Sequence, residues 1–552
     1  MKISRRTFGG GALSLAATSQ LAVPAFAQPS SRLASAIAAI RAYGEAHRTY
    51  FNLPGMTLGL FTPNGERTVL NFGYANADAR TPIAPGTLFQ VGSISKLMVA
   101  AVFHQLAGEG RLKLSDSISS LLPDAPLPAG NRIEVQHLLD HVAGLPSDTP
   151  MFAPRGLWTA YAPGAHWHYS NTGYEILGKL AEHVSGKPLR QLLTERIFAP
   201  LKMSRSRGAI VGADRPLYAQ GYEAADSVAA YARGVPLAPA PWVDVTAGAG
   251  CVASTADDMM ALLLSLAGAA QGRGGLGLAP EEARTFAAHA VPSDTAGMSY
   301  GNGLMHVADA GRAYLHHTGG MISFSSSFHV DAASGVGAFA SSTISAFAEY
   351  RPRLLTLFAV QALTNALSGR PLPRAPMLQA QLANAPSYVG RYAGPAGALE
   401  VRLGTPLTIV ANGQSASLEP IADEVFRTAH PAFRSFSIMF ERSGGAVARA
   451  FFGPDTYPRA GVGGTVPRSD PALARLAGRY INDNPWFGAA IVVERGGKLW
   501  LGTETPMTPA GANLWRVGKE TWSPERGSFA DAIDGRPQTF VFSGVRYSRH
   551  QV

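Results

Sequence analysis

Residues 97–107, Leu-Met-Val-Ala-Ala-Val-Phe-His-Gln-Leu-Ala, are apolar almost all round, with Gly108 placed to end them. A helix with so little polar face has to be buried, so the rest of the fold must be built around this stretch. At its mouth stand Ser93 and, three residues on, Lys96. The chain has eight lysines against thirty-nine arginines, and Lys96 alone has a serine three residues before it. Residues three apart share a helix face, which sets Lys96 beside the Ser93 hydroxyl. Ser93 itself lies where free backbone N–H groups and the positive end of the helix dipole converge. A lysine held there is desolvated, which favours its neutral, proton-accepting form. The competing account makes Ser93 a helix cap and sends Lys96 out to solvent, and this segment alone does not separate the two.

At 552 residues and 46% apolar content, the chain has material for two or three domains. Its 60 glycines and 39 prolines predict many turns and substantial β structure. The net charge of +9 comes from scattered arginines with no basic run, which argues for a solvated surface and against a nucleic-acid partner. Residues 1–27 have a charged start, a weakly apolar stretch and the small-residue site Ala25-Phe26-Ala27. They read as an export signal cut before Gln28, and Arg5-Arg6 resembles a twin-arginine signal. The alternative is an ordinary secretory signal. Either places the mature protein outside the cytoplasm, periplasmic or secreted. The lone cysteine, Cys251, has no disulfide partner within the chain and reads as a small buried residue. No other stretch is long and apolar enough to span a bilayer.

Apolar spacing predicts a helix over 31–49, then two strands around a Pro63-Asn64-Gly65 turn. Residues 89–200 read as mainly helical, 312–343 as strands and 353–367 as a closing helix. Prolines make 368–385 a linker. Beyond it, Tyr-Val-Gly-Arg-Tyr at 388–392 is echoed by Leu-Ala-Gly-Arg-Tyr at 476–480, and Tyr457-Pro-Arg459 by Tyr547-Ser-Arg549. Two small antiparallel barrel-like domains, 386–465 and 466–552, are the natural reading. One larger β domain with chance echoes is the alternative.

Two further segments bear on Ser93. Tyr169-Ser170-Asn171 directly precedes a helical pattern in which Thr172 and Glu175 have capping-box spacing. His317-Thr318-Gly319-Gly320 lies in the strand region and holds the chain's only His-x-Gly. These three boxes, in this order, resemble the serine β-lactamase and penicillin-binding-protein superfamily. The branch they are most similar to is that of the class C β-lactamases, D-aminopeptidases and esterases. "HLLDHVAGLP" and "AGAGCVASTADDM" resemble other family segments, so the likeness runs over about residues 31–367.

The resemblance implies an α+β catalytic domain, an antiparallel sheet flanked by helices, at 31–367, followed by the two β domains. It implies that Ser93 is acylated and that Lys96 and Tyr169 share its proton. Asn171 would bind the substrate amide, with His317, Thr318, Gly319 and Gly320 forming the third wall of the site. The N–H groups of Ser93 and Gly320 would stabilise the oxyanion. No cofactor is implied. One departure matters: many β-lactamases have lysine in the third box, and here there is none between Lys202 and Lys498. An unperturbed imidazole at His317 is mostly neutral at pH 7 and would hold a substrate carboxylate less well than a fixed cation.

The expected function is therefore a serine hydrolase that cleaves an amide or ester of a small molecule or peptide, as a D-aminopeptidase or esterase. The alternatives are a β-lactamase or D,D-carboxypeptidase, and a non-catalytic cell-wall or peptide binder. Oligomeric state is left open. Gly297–Gly301 matches a Gly-x-Ser-x-Gly elbow around Ser299, but a hairpin-like stretch follows where an elbow needs a helix. His137 and His141 stand at i, i+4 with Leu138 where a zinc protease needs glutamate, and His166 and His168 lack an obvious third ligand, so no metal is expected. Residues 523–538 read as a long loop of the second β domain. There Asp531 and Asp534 are candidates to hold a substrate ammonium, against the plainer account of a solvated acidic loop.

Overall fold

A computed structural model describes residues 31–550 apart from 129, 131, 154–155, 226–231, 346–349, 380–381, 396 and 463–465. The export signal expected at 1–27 lies outside the described residues. The sheet built from residues 55–342 has nine strands, all antiparallel. In spatial order they are 81–82, 67–76, 55–61, 337–342, 325–331, 312–320, 304–309, 298–301 and 291–292. The early hairpin thus joins the late strands at the middle of the sheet, where Leu58 pairs with Ala340.

Both faces of those central strands are covered. On one, Leu33 and Ile40 of the helix Ser31–Tyr50 and Leu355, Phe358 and Leu363 of the helix Arg353–Leu367 pack on Leu58 and Ala340. On the other, Phe328 and Phe339 meet the helices Ser95–Gly108 and Ala256–Ala270. Alternation along a strand sends neighbouring residues to opposite layers, which is why Ser325–Asp331 is buried at every position. The apolar helix that must be buried lies within the larger core, walled by the helix Asn171–Ser185 and the segment 189–198.

Residues 390–458 form an eight-stranded antiparallel sheet, its ends joined by a bridge between Tyr392 and Arg459. Residues 478–549 form a closed eight-stranded barrel. The repeated tripeptides have a physical purpose. Tyr392 donates its hydroxyl hydrogen to the Tyr388 carbonyl at 2.8 Å, and Tyr480 does the same to Leu476 at 2.7 Å. Arg459 donates to the Ser387 carbonyl and Arg549 to the Ala477 carbonyl, each at 2.9 Å, so the last strand is tied to the first. A Cβ on Gly390 or Gly478 would collide with those guanidinium groups, which explains the glycine in each Gly-Arg-Tyr.

Candidate active site

Gly92–Ile94 is a single 3-10 turn and the α-helix begins at Ser95, so Ser93 stands on the turn rather than inside the helix. Gly92 has φ +57°, and a Cβ there would lie 2.7 Å from the Gly320 nitrogen. A Cβ on Gly319 would lie 1.9 Å from the Val91 carbonyl oxygen. Two glycines therefore let the end of the strand Arg312–Gly320 press against the turn that carries Ser93.

Lys96 is fully buried. Its Nζ lies 3.1 Å from Ser93 Oγ, 2.8 Å from Asn171 Oδ1 and 2.7 Å from the Ala249 carbonyl oxygen. The last two atoms only accept, so they take two amine hydrogens. The third direction, toward Ser93, holds a proton in the ammonium and a lone pair in the neutral amine. Burial pulls the Lys96 pKa down to about 7, although the carboxylates of Asp148 and Glu175 oppose the shift. Tyr169 is hydrogen-bonded to Ser93, and burial drives its phenol well above the ordinary range. The phenol thus stays protonated at neutral pH, and Lys96 is the partner with a lone pair to offer. His141, a residue not singled out as part of this site by sequence, lies under the phenol with ring centroids 4.3 Å apart and accepts the Ser170 N–H.

The helix Asn171–Ser185 is capped by Ser170, whose Oγ accepts the Gly173 N–H at 3.1 Å. This corrects the capping box expected of Thr172 and Glu175: Thr172 donates to the Thr149 carbonyl instead, and Glu175 points to a cavity. Asn171 Nδ2 donates to Asp148 Oδ1 at 2.8 Å, which fixes its amide so that Oδ1 faces Lys96. Burial raises the pKa of Asp148.

His317 lies on the cavity wall, but its ring is occupied. Nδ1 donates to the Thr318 carbonyl at 2.6 Å, which leaves Nε2 to accept from the Tyr300 hydroxyl at 3.2 Å. Burial, helped by Lys96, lowers its pKa to about 3, so it is neutral. Among the described residues lining this cavity, the permanent cation is Arg351, which lies outside the third box.

Ser93, Tyr169, Asn171, His317, Thr318 and Gly320 line one cavity of about 600 Å³. Lys96 sits behind it, and Gly319 supports it through its contact with Val91. The second barrel supplies the opposite wall with Trp486, Phe487, Phe542, Val545 and Tyr547. A second cavity of about 300 Å³ shares Ser93, Asp148, Asn171 and Trp486, and adds Glu175 and Asp244. Burial pushes the Glu175 carboxyl up to about 7.

The other candidates lie elsewhere. Ser299 is on the strand Met298–Gly301, which turns directly into the strand Leu304–Asp309, so no elbow forms. His137 accepts the Glu134 N–H, His166 stacks on Trp522 and His168 meets Glu525. Cys251 is buried, which pushes its thiol up to about 12. The stretch 523–538 is no long loop: most of it forms a hairpin of Arg526–Ile533 with Arg536–Phe542. Asp531 there accepts from Thr539 and Arg546, while Glu525, at the foot of the hairpin, is the acid that reaches the cavity.

Residues 38–362 match the family model described as Beta-lactamase. A beta-lactamase of Pseudomonas fluorescens is 33% identical over 172 residues, covering 29% of this chain and 48% of that protein. A beta-lactamase of Escherichia coli K12 is 28% identical over 186 residues, 32% of this chain and 49% of that protein. The chain spans about half the length of these curated relatives. The octameric penicillin-binding protein homologue from Pyrococcus abyssi aligns with a TM-score of 0.55 at 21% identity, covering 76% of this chain and 99% of that one. A class C beta-lactamase aligns at 0.51 and 18% identity over 62% of this chain and 99% of its own. At these identities the two solved structures share the fold.

Proposed function

We propose, from the premise that this chain belongs to the beta-lactamase family, that it is a serine hydrolase working by acyl transfer through Ser93. The observation that carries the reading is the Lys96 amine, buried, with a pKa near 7 and its one unfixed direction on Ser93 Oγ. As Oγ bonds the substrate carbonyl carbon, its proton passes to Lys96 Nζ. The N–H groups of Ser93 and Gly320 stabilise the resulting oxyanion. Tyr169, still protonated, gives its hydrogen to the leaving nitrogen or oxygen and recovers one from Lys96. The carbonyl–leaving-group bond breaks and an ester on Ser93 remains. Water, giving its proton to the same groups in reverse, releases the acid.

The substrate is an amide or ester of the D-aminopeptidase or esterase kind, with an ammonium on the acyl portion in the amide case. Asp148, Glu175 and Asp244 around the smaller cavity support this, since three carboxyl groups there give a substrate ammonium oppositely charged partners. Arg351 favours a second reading, a β-lactamase or D,D-carboxypeptidase, because it offers a carboxylate the cation that His317 lacks. Rates on a D-alanine amide, a short p-nitrophenyl ester and a chromogenic cephalosporin separate the two. Amide or ester turnover with a cephalosporin left intact supports the first reading, and fast cephalosporin hydrolysis the second. Export to the periplasm or medium through residues 1–27 is part of the proposal, tested by fractionating cells that carry the chain with and without Arg5-Arg6→Lys-Lys.

A further inference from the structure

One of the seams by which the second barrel meets the catalytic domain is a short clasp, residues 522–526. Trp158 Nε1 donates to the Pro524 carbonyl at 2.8 Å, the His166 ring stacks on Trp522 at 4.6 Å, and the Arg526 guanidinium lies 4.8 Å over the Trp158 ring. Glu525 sits in the middle of this clasp. Its Oε1 accepts the Ser147 N–H at 2.7 Å and His168 Nε2 at 3.0 Å, and its Oε2 accepts from the Ser543 hydroxyl. Burial works against the charge, but these hydrogen bonds outweigh it and hold the carboxyl below its ordinary range.

The two catalytic-domain partners are placed to matter. Ser147 precedes Asp148, and its own carbonyl accepts the N–H of Asn171 at 2.8 Å and of Thr172 at 3.1 Å. His168 precedes Tyr169. One carboxylate from the barrel therefore pins the chain on both sides of the proton-transfer group: through Ser147 to Asn171 and Lys96, and through His168 to Tyr169.

We infer that Glu525 is a positioning residue for acyl transfer, by which the second barrel completes the active site rather than only roofing it. The inference rests on the proposed reaction at Ser93. It also separates Glu525 from ammonium binding, since both of its oxygens already face donors of the protein.

The test uses the full-length protein, a neutral p-nitrophenyl ester and the variants Glu525→Ala, Glu525→Gln and Trp522→Ala. Glu525→Ala should lower kcat by about tenfold or more with KM within about twofold, as expected when reacting groups are displaced but the binding surface is kept. Glu525→Gln keeps an acceptor for the Ser147 N–H and should restore part of the loss. Trp522→Ala weakens the same seam and, at the pins, removes only an edge contact with the His168 ring, 6.3 Å between centroids, while both hydrogen bonds to Glu525 stay, and should cost less than about threefold.

A rise in KM at unchanged kcat, a glutamine variant no better than alanine, or an equal loss in Trp522→Ala would each overturn the inference. If Glu525→Ala does not fold, Glu525→Gln decides alone, and a kcat equal to the parent's overturns it. Ser93→Ala is run beside them. Turnover surviving in Ser93→Ala defeats the reaction itself, whereas a dead Ser93→Ala beside an unchanged Glu525→Ala defeats only the role of Glu525.

Discussion

Lys96 Nζ lies 3.1 Å from Ser93 Oγ, with its other hydrogen bonds taken by Asn171 and the Ala249 carbonyl. Burial lowers the Lys96 pKa from 10.5 to about 7, so the proton-accepting form dominates above that pH and disappears below it. The kcat/KM for a neutral ester should therefore rise with pH through about 7 and level off, where an ordinary lysine would keep it climbing toward 10. A profile flat from about pH 5 to 9 would remove Lys96 as the base.

Lys96 and Tyr169 both contact Ser93, and the amine lies 4.9 Å over the phenol ring. Groups that act as one unit have non-additive losses. Lys96→Ala and Tyr169→Phe should each remove most of kcat, and the double variant should be little worse than either. Losses that multiply would mean that the two groups work independently.

Gly319 is required by space. A Cβ there would stand 1.9 Å from the Val91 carbonyl oxygen, whereas at Gly212 the nearest atom would be 3.6 Å away. Gly319→Ala should lower the unfolding free energy by more than about 2 kcal/mol and Gly212→Ala by well under that, read from denaturant midpoints. Equal midpoints for the two variants would show that the strand end does not press on the serine turn.

Carboxylate recognition should depend on Arg351 and not on His317. Arg351→Ala should slow acylation by penicillin more than by a neutral ester, by about tenfold. His317→Lys would bury a second cation beside Lys96, and should slow both substrates alike. A selective gain on penicillin in His317→Lys would return the carboxylate site to the third box.

The parts of this molecule that were legible in sequence are those whose logic is local. The apolar helix announces its own burial, and Ser93 and Lys96 are one turn apart. The paired Gly-Arg-Tyr and Tyr-x-Arg segments signal a repeated β unit because each closes its own sheet. The capping of Asn171–Ser185 misled because Thr172 and Glu175 have the right spacing, yet Ser170 lies one residue nearer the N-terminus with its hydroxyl free to turn back. Nothing near Arg351 in sequence marks it, and Glu525 was passed over within its own stretch, 523–538, in favour of Asp531 and Asp534. Glu525 meets Ser147 across 378 residues, and only the docking of the barrel brings them together. Asp531 and Asp534 looked like a loop's acids, but their segment pairs as a hairpin, and Asp531 faces Arg546.

The most direct test of acyl transfer through Ser93 is the mass of the protein and of its peptides after brief incubation with a fluorophosphonate or labelled penicillin, alongside ester turnover. The account predicts one adduct, on the peptide that holds Ser93, and a Ser93→Ala variant with neither adduct nor turnover, a loss on the order of 10⁶ in kcat. Ser299→Ala should keep both. Turnover that persists in Ser93→Ala, or an adduct found on Ser299, would contradict it.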